Sequence, residues 1–163
     1  MQIYLDHLLL NSISEIMIKK GLTVSVAESC TGGFISTFFT SKSGASNFFK
    51  GSLITYSNEA KVSLLGIDPN VINNHGVVSK MVVDDMADSV RKKHGVDYGL
   101  ATTGYVEFFD TNTAPKNITL HAWISISSAN NTISELVPLN QSRLENISHV
   151  SYRLLNLFRK EIL

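Results

Sequence analysis

Between Leu5 and Lys20 the apolar residues Leu5, Leu9, Ile13 and Ile16 recur at helical spacing, and Lys19-Lys20-Gly21 ends the run as a helix stop. Leu22 to Ala27 is a short β-branched run and reads as a buried strand. Gly32 to about Ser41 predicts a second helix, and after a loop containing Gly44, Gly51 to Tyr56 predicts a second strand. Asn58 is expected to cap a short helix through Lys61 to Leu65, with a helical turn at Pro69 to Asn74. Ser79 caps an amphipathic helix over Lys80 to His94, whose apolar face carries Val83, Met86, Ala87 and Val90. Its Asp84, Asp85 and Asp88 are expected on a solvated face. Asp97 to Thr102 predicts a third strand and residues 105–117 a loop. Ile118 to Ser128 and Thr132 to Leu139 flank Asn130-Asn131 as a hairpin, and Ser142 to Leu163 forms a closing amphipathic helix.

The order αβαβααβββα predicts an α/β fold, a three-layer α/β/α arrangement with a mixed sheet covered on both faces. No linker, internal repeat or low-complexity tract divides the chain. A single compact domain over residues 1–163 is therefore expected, long enough to bury one sizeable core.

Composition removes several classes. Lys plus Arg and Asp plus Glu both number 14, so no global field steers the chain toward nucleic acid. One cysteine excludes an internal disulfide or a Cys-based zinc site. The five histidines, His7, His75, His94, His121 and His149, include no i, i+4 pair, which argues against a metal. Leu8-Leu9-Leu10 is interrupted by Asp6, His7, Asn11 and Glu15, far short of the ~20 apolar residues of a membrane span. The expected compartment is the cytoplasm, with no membrane partner.

Ligands of open α/β sheets gather beyond the carboxyl ends of strands. Three segments follow predicted strands: Ser29 to Gly33, Tyr56 to Lys61, and Thr102 to Gly104. In the first, two glycines admit close backbone approach, and a helix start offers N–H groups for a phosphate or an oxyanion. Ser29 or Thr31 also reads as a helix cap, and Cys30 reads as a small buried residue. In the second, Tyr56, Ser57, Asn58 and Lys61 cluster at a strand end; burial would lower the lysine pKa and make it a usable base, whereas an exposed lysine would be mere countercharge. Arg143, opening the last helix, suits bidentate capture of an anion or is an exposed charge.

The motifs AESCTGG at 27–33, YSNEAK at 56–61, LLG at 64–66, HGVVS at 75–79 and TG at 103–104 occur in this order. Together they resemble the CinA C-terminal domain family of nicotinamide-nucleotide amidohydrolases, over essentially the whole chain. The likeness is to the stand-alone form; in CinA proper a larger molybdopterin-binding-like domain precedes this one. The resemblance implies hydrolysis of the carboxamide of nicotinamide mononucleotide to nicotinic acid mononucleotide and ammonia. It implies Ser29 as acylated nucleophile, Lys61 as general base and Tyr56 as assistant. Around the substrate it implies Thr31, Gly32 and Gly33 at the oxyanion or ligand, Asn58, Thr103 and Gly104 in the binding segments, and Arg143 at the phosphate. It further implies a small-molecule nucleotide partner, a homo-oligomer (dimer or higher), and neither metal nor cofactor. One departure stands out. After Thr-Gly the family commonly continues Ile-Ala-Gly-Pro, whereas this chain reads Tyr105-Val106-Glu107-Phe108-Phe109-Asp110. That change raises two alternatives, a non-catalytic nucleotide-binding homologue and an amidohydrolase with a different amide substrate.

Overall fold

The computed structural model describes residues 5–108 and 119–163, so Phe109, Asp110 and most of the loop expected at 105–117 lie outside the described residues. Helix α1 (His7–Lys20) opens on Asp6, whose carboxylate accepts the Leu9 N–H. The chain continues through β1 (Val24–Glu28), α2 (Phe34–Thr40), β2 (Phe49–Ile54), α3 (Asn58–Ala60), α4 (Pro69–His75) and α5 (Lys80–His94). It ends with β3 (Tyr98–Tyr105), β4 (His121–Ser127), β5 (Thr132–Pro138) and α6 (Arg143–Ile162). No helix among the described residues is long and apolar enough to cross a membrane.

The five strands lie in the order β2-β1-β3-β4-β5. β1 pairs in parallel with β2 and β3, while β3, β4 and β5 pair antiparallel, giving the mixed sheet expected from the chain order. Helices α1, α2 and α6 cover one face, with Ile13, Ile35, Phe38, Leu154 and Phe158 packed on Val24, Val26 and Leu100. The other face carries α4, α5 and the turn after α3, with Leu65, Ile72, Val83 and Met86 against Ala27 and Ala101. The fold is thus three-layered. The close seat of α5 depends on Gly99, where a Cβ would lie 2.0 Å from the Ala87 carbonyl oxygen.

The topology locates a crevice. β1 connects to β2 through α2 on one face, and β2 connects onward through α3 to α5 on the other. Adjacent parallel strands whose connections leave on opposite faces open a cleft at their carboxyl ends. That cleft lies beyond Glu28 and Ile54.

Element boundaries depart from the sequence expectation in instructive ways. β2 begins and ends two residues earlier than expected, which leaves Tyr56 beyond the strand. β3 runs to Tyr105 instead of stopping at Thr102, because antiparallel pairing with β4 continues through Gly104–Ala122 and Tyr105–His121. Helix α2 starts at Phe34, so neither Ser29 nor Thr31 is its N-cap. Ser57, not Asn58, caps α3 by accepting the Ala60 N–H at 3.1 Å. The acidic face of α5 is not simply solvated either: Asp84 accepts from the buried Ser125 hydroxyl at 2.7 Å, and Asp88 from Ser127 at 3.3 Å.

Candidate active site

Alternation along β1 sends its side chains to opposite layers. Val24 and Val26 pack toward α1, α2 and α6, whereas Ala27 packs toward α5. Glu28 continues the first set and meets α2; Ser29, just past the strand, continues the second and meets Lys61. A single strand parity therefore sets both halves of the site.

Lys61 begins a wide π turn, Lys61–Leu65, that follows α3 and whose buried residues are Lys61 and Leu65. The turn brings the lysine inward, leaving it 1% exposed. Its Nζ lies 3.0 Å from Ser29 Oγ and 2.9 Å from the Thr55 carbonyl oxygen to which it donates. Among the described residues no carboxylate forms an ion pair with it. Burial away from water pushes the Lys61 pKa below its ordinary value, with a smaller opposing pull from Cys30. That pull requires a thiolate, and burial drives the Cys30 pKa up to about 12, so the thiol is neutral near pH 7. The arrangement is a serine hydroxyl facing a buried amine whose pKa burial lowers.

The turn from Ser29 to Gly33 is held by Glu28, which is wholly buried. One carboxylate oxygen accepts from Thr31 Oγ1 at 2.7 Å, Gly33 N–H at 3.0 Å and Ile35 N–H at 3.2 Å. The other accepts from Ser36 N–H at 2.8 Å and Ser36 Oγ at 2.5 Å. Glu28 thus occupies the anion site at the start of α2. Gly32 N–H bonds back to the Ser29 carbonyl at 3.1 Å. The left-handed backbone of Gly32 (φ 57°) and Gly33 (φ 102°) makes this folded-back path accessible. Two of the expected ligand donors, Gly32 and Gly33, are consequently satisfied internally. Among the described residues the N–H groups of Cys30 and Thr31, which follow Ser29, donate to no backbone carbonyl.

A cleft of about 200 Å³ opens over Ser29 and Lys61, with Asn58, Thr103, Gly104 and Glu107 along its walls. Thr103 is buried and spends its hydroxyl on the Val77 carbonyl at 2.9 Å. Gly104 is needed for strand packing, since a Cβ there would lie 2.6 Å from Ala122 Cβ. Tyr56 is exposed at the mouth; its hydroxyl accepts from an Arg143 guanidinium nitrogen at 2.7 Å and is not hydrogen-bonded to Ser29 or Lys61. The other guanidinium arm pairs with Glu107 at 3.3 Å. Beyond this Tyr56–Arg143 contact lies a larger cavity of about 920 Å³ between the start of α2 and α6, which shares Cys30, Tyr56 and Arg143 with the cleft. Among the described residues no three His, Cys, Asp or Glu side chains gather to hold a metal.

Sequence reasoning passed over Glu28, Thr55 and Asn146, and marked Thr102 only as the start of a candidate segment. Glu28 carried a usable signal, an acid closing an otherwise apolar strand just before two glycines, where a buried charge must find several donors. Thr102 Oγ1 lies 2.9 Å from Thr31 Oγ1 and 3.4 Å from the Ser29 N–H, tying β3 to the turn. The buried Asn146 donates to the Val106 and Gln141 carbonyls at 2.8 Å each. The Thr102 contacts and the Asn146–Val106 bond are long-range, and no local pattern marks their partners.

A model of the CinA C-terminal domain matches residues 6–162. A CinA-like protein of Flavobacterium psychrophilum is 38% identical over 156 residues, covering 93% of this chain and 36% of that protein. A CinA-like protein of Shewanella baltica is 35% identical over 148 residues, covering 90% and 34%. The chain therefore spans about a third of the length of these relatives. In fold it matches the crystal structure of competence damage-inducible protein A from Klebsiella pneumoniae, with TM-score 0.88, 20% identity and 98% of each chain covered. It also matches a competence/damage inducible protein from Agrobacterium tumefaciens, with TM-score 0.84, 22% identity, and 96% of this chain and 97% of that one covered.

Proposed function

The chain belongs to the CinA C-terminal domain family, and from that membership we propose that it is an amidohydrolase using Ser29 and Lys61, with nicotinamide mononucleotide as substrate. The observation that carries the reading is the buried 3.0 Å contact between Ser29 Oγ and Lys61 Nζ. A serine hydroxyl is a weak nucleophile until a base takes its proton, and a lysine qualifies only when its pKa is depressed, as burial does here.

In the proposed reaction Ser29 Oγ attacks the carboxamide carbon as its proton passes to Lys61 Nζ. The Thr55 carbonyl keeps the amine aimed at the serine. The oxyanion that forms is met by the N–H groups of Cys30 and Thr31, which among the described residues donate to no backbone carbonyl, while Glu28 holds their turn rigid. Lys61 returns the proton to the departing nitrogen, ammonia leaves, and an acyl ester remains on Ser29. Water then attacks the ester with Lys61 again taking a proton, and the carboxylic acid product and free serine result. Tyr56 and Arg143 act at the mouth, on the substrate's distal part. No step calls for a metal.

The test is ammonia release from nicotinamide mononucleotide. Wild-type turnover is expected, with Ser29→Ala and Lys61→Ala each reduced by about 10³-fold or more. Full activity in either variant refutes the mechanism. Tight binding of the mononucleotide without turnover assigns the chain to a non-catalytic nucleotide-binding role instead. The proposal extends to self-association, which light scattering reads; a monomeric mass at micromolar concentration refutes that part.

A further inference from the structure

Lys61 is buried with its Nζ on Ser29 and the Thr55 carbonyl, so Arg143 is the one partly exposed cationic side chain among the described residues lining the cleft. Its guanidinium is already engaged on both arms, by Glu107 at 3.3 Å and by the Tyr56 hydroxyl at 2.7 Å. The ion pair is also held by the fold. Val106, next to Glu107, has its carbonyl gripped at 2.8 Å by the buried Asn146, which lies on α6 three residues beyond Arg143. Both partners are therefore anchored to the same end of α6.

We propose that Glu107 is a specificity-determining residue: its carboxylate holds one arm of the Arg143 guanidinium and sets a negative charge beside it, while Tyr56 holds the other, so that this cleft gives little preference to a phosphorylated carboxamide over the same amide without phosphate. The inference rests on the amidohydrolase reading for the identity of the amide. A guanidinium fork suits one carboxylate or one phosphate at a time. An incoming phosphate must displace Glu107 and then sit beside its negative charge. The partners are half-exposed, with side chains 39% and 49% accessible, so screening limits the penalty without removing it.

The test is a calorimetric titration of nicotinamide mononucleotide and of its phosphate-free nucleoside into Ser29→Ala, alone and combined with Glu107→Gln. In Ser29→Ala the two ligands are expected to bind within about threefold of each other. Adding Glu107→Gln is expected to tighten the mononucleotide about 3- to 10-fold and leave the nucleoside unchanged, the scale of a freed surface charge pair. Glu107→Asp, which keeps the charge, is expected to behave as Glu107 does. A mononucleotide that binds Ser29→Ala more than about tenfold tighter than the nucleoside overturns the proposal. So does a Glu107→Gln change that shifts both ligands equally or neither, or a failure of both to bind. Ammonia release by the unmutated chain is read separately: its absence defeats the catalytic reading, while the binding contrast stands or falls on its own.

Discussion

Replacing Glu28 with Gln tests the support of the candidate site with almost no change of shape. The carboxylate accepts five hydrogen bonds, three from backbone N–H groups and two from hydroxyls. An amide has only one acceptor oxygen. Turned toward Thr31, Gly33 and Ile35, it keeps three bonds and presents its NH₂ to Ser36. The Ser36 hydroxyl can rotate and accept, but the Ser36 N–H cannot, and an orphaned buried donor costs about 1–3 kcal/mol. The three retained bonds change from charge-assisted to neutral, at about 0.5–1 kcal/mol each. Burying an amide instead of a carboxylate returns part of this, leaving a net loss of about 2–4 kcal/mol. For a domain of this size that corresponds to a fall of about 5–15 °C in melting temperature. Thermal unfolding by circular dichroism reads it. Ammonia release below the transition reads its consequence, an expected ~10- to 100-fold fall in kcat with KM little changed, as a loosened turn misplaces Ser29. A melting temperature within about 2 °C of wild type would refute the argument that Glu28 holds the turn.

The depressed Lys61 pKa has a stability signature of determined sign. Between the folded pKa and the ordinary lysine value of 10.5 the unfolded chain binds more protons than the folded one, so stability contributed by this group rises with pH across that window. Urea unfolding of wild type minus Lys61→Met should therefore show a difference growing more favourable to wild type as pH increases; a flat difference means that the folded lysine keeps its ordinary pKa. For the same reason kcat is expected to rise with pH through that depressed pKa and then level off. Gly104→Ala places a methyl 2.6 Å from Ala122 Cβ and should cost about 1–3 kcal/mol, with Ala122→Gly in the same chain restoring most of the loss; additive losses in the double variant would show that the two positions do not compete for space. Cys30, buried with its pKa pushed up to about 12, should resist a thiol reagent at pH 8 until the chain is unfolded in urea. Rapid labelling of the native protein would mean the thiol is neither buried nor inert.

What could be read along the chain was governed by local periodicity and by residue chemistry at strand ends. The alternating and helical patterns recovered the order of elements, because amphipathic spacing reflects which side of each element meets the core. The strand-to-turn motif AESCTGG and the cluster YSNEAK marked where a ligand site belongs, because strand ends and helix starts leave unpaired backbone groups. What could not be read was which of several plausible partners each group takes. Whether Ser29 is a helix cap or a candidate nucleophile depends on β1 parity and on where Lys61 ends up, 32 positions along the chain. The lysine is exposed or buried according to the π turn and to the helices packed over it, and neither is encoded in the six residues of its motif. Glu28 likewise becomes an anchor only when α2 folds back over β1. The Glu107–Arg143 pair spans 36 residues and exists because Asn146 draws Val106 onto α6. Local sequence placed the chemically capable groups at the edge of one sheet; packing chose which of them meet, which lose their water, and so which are able to react.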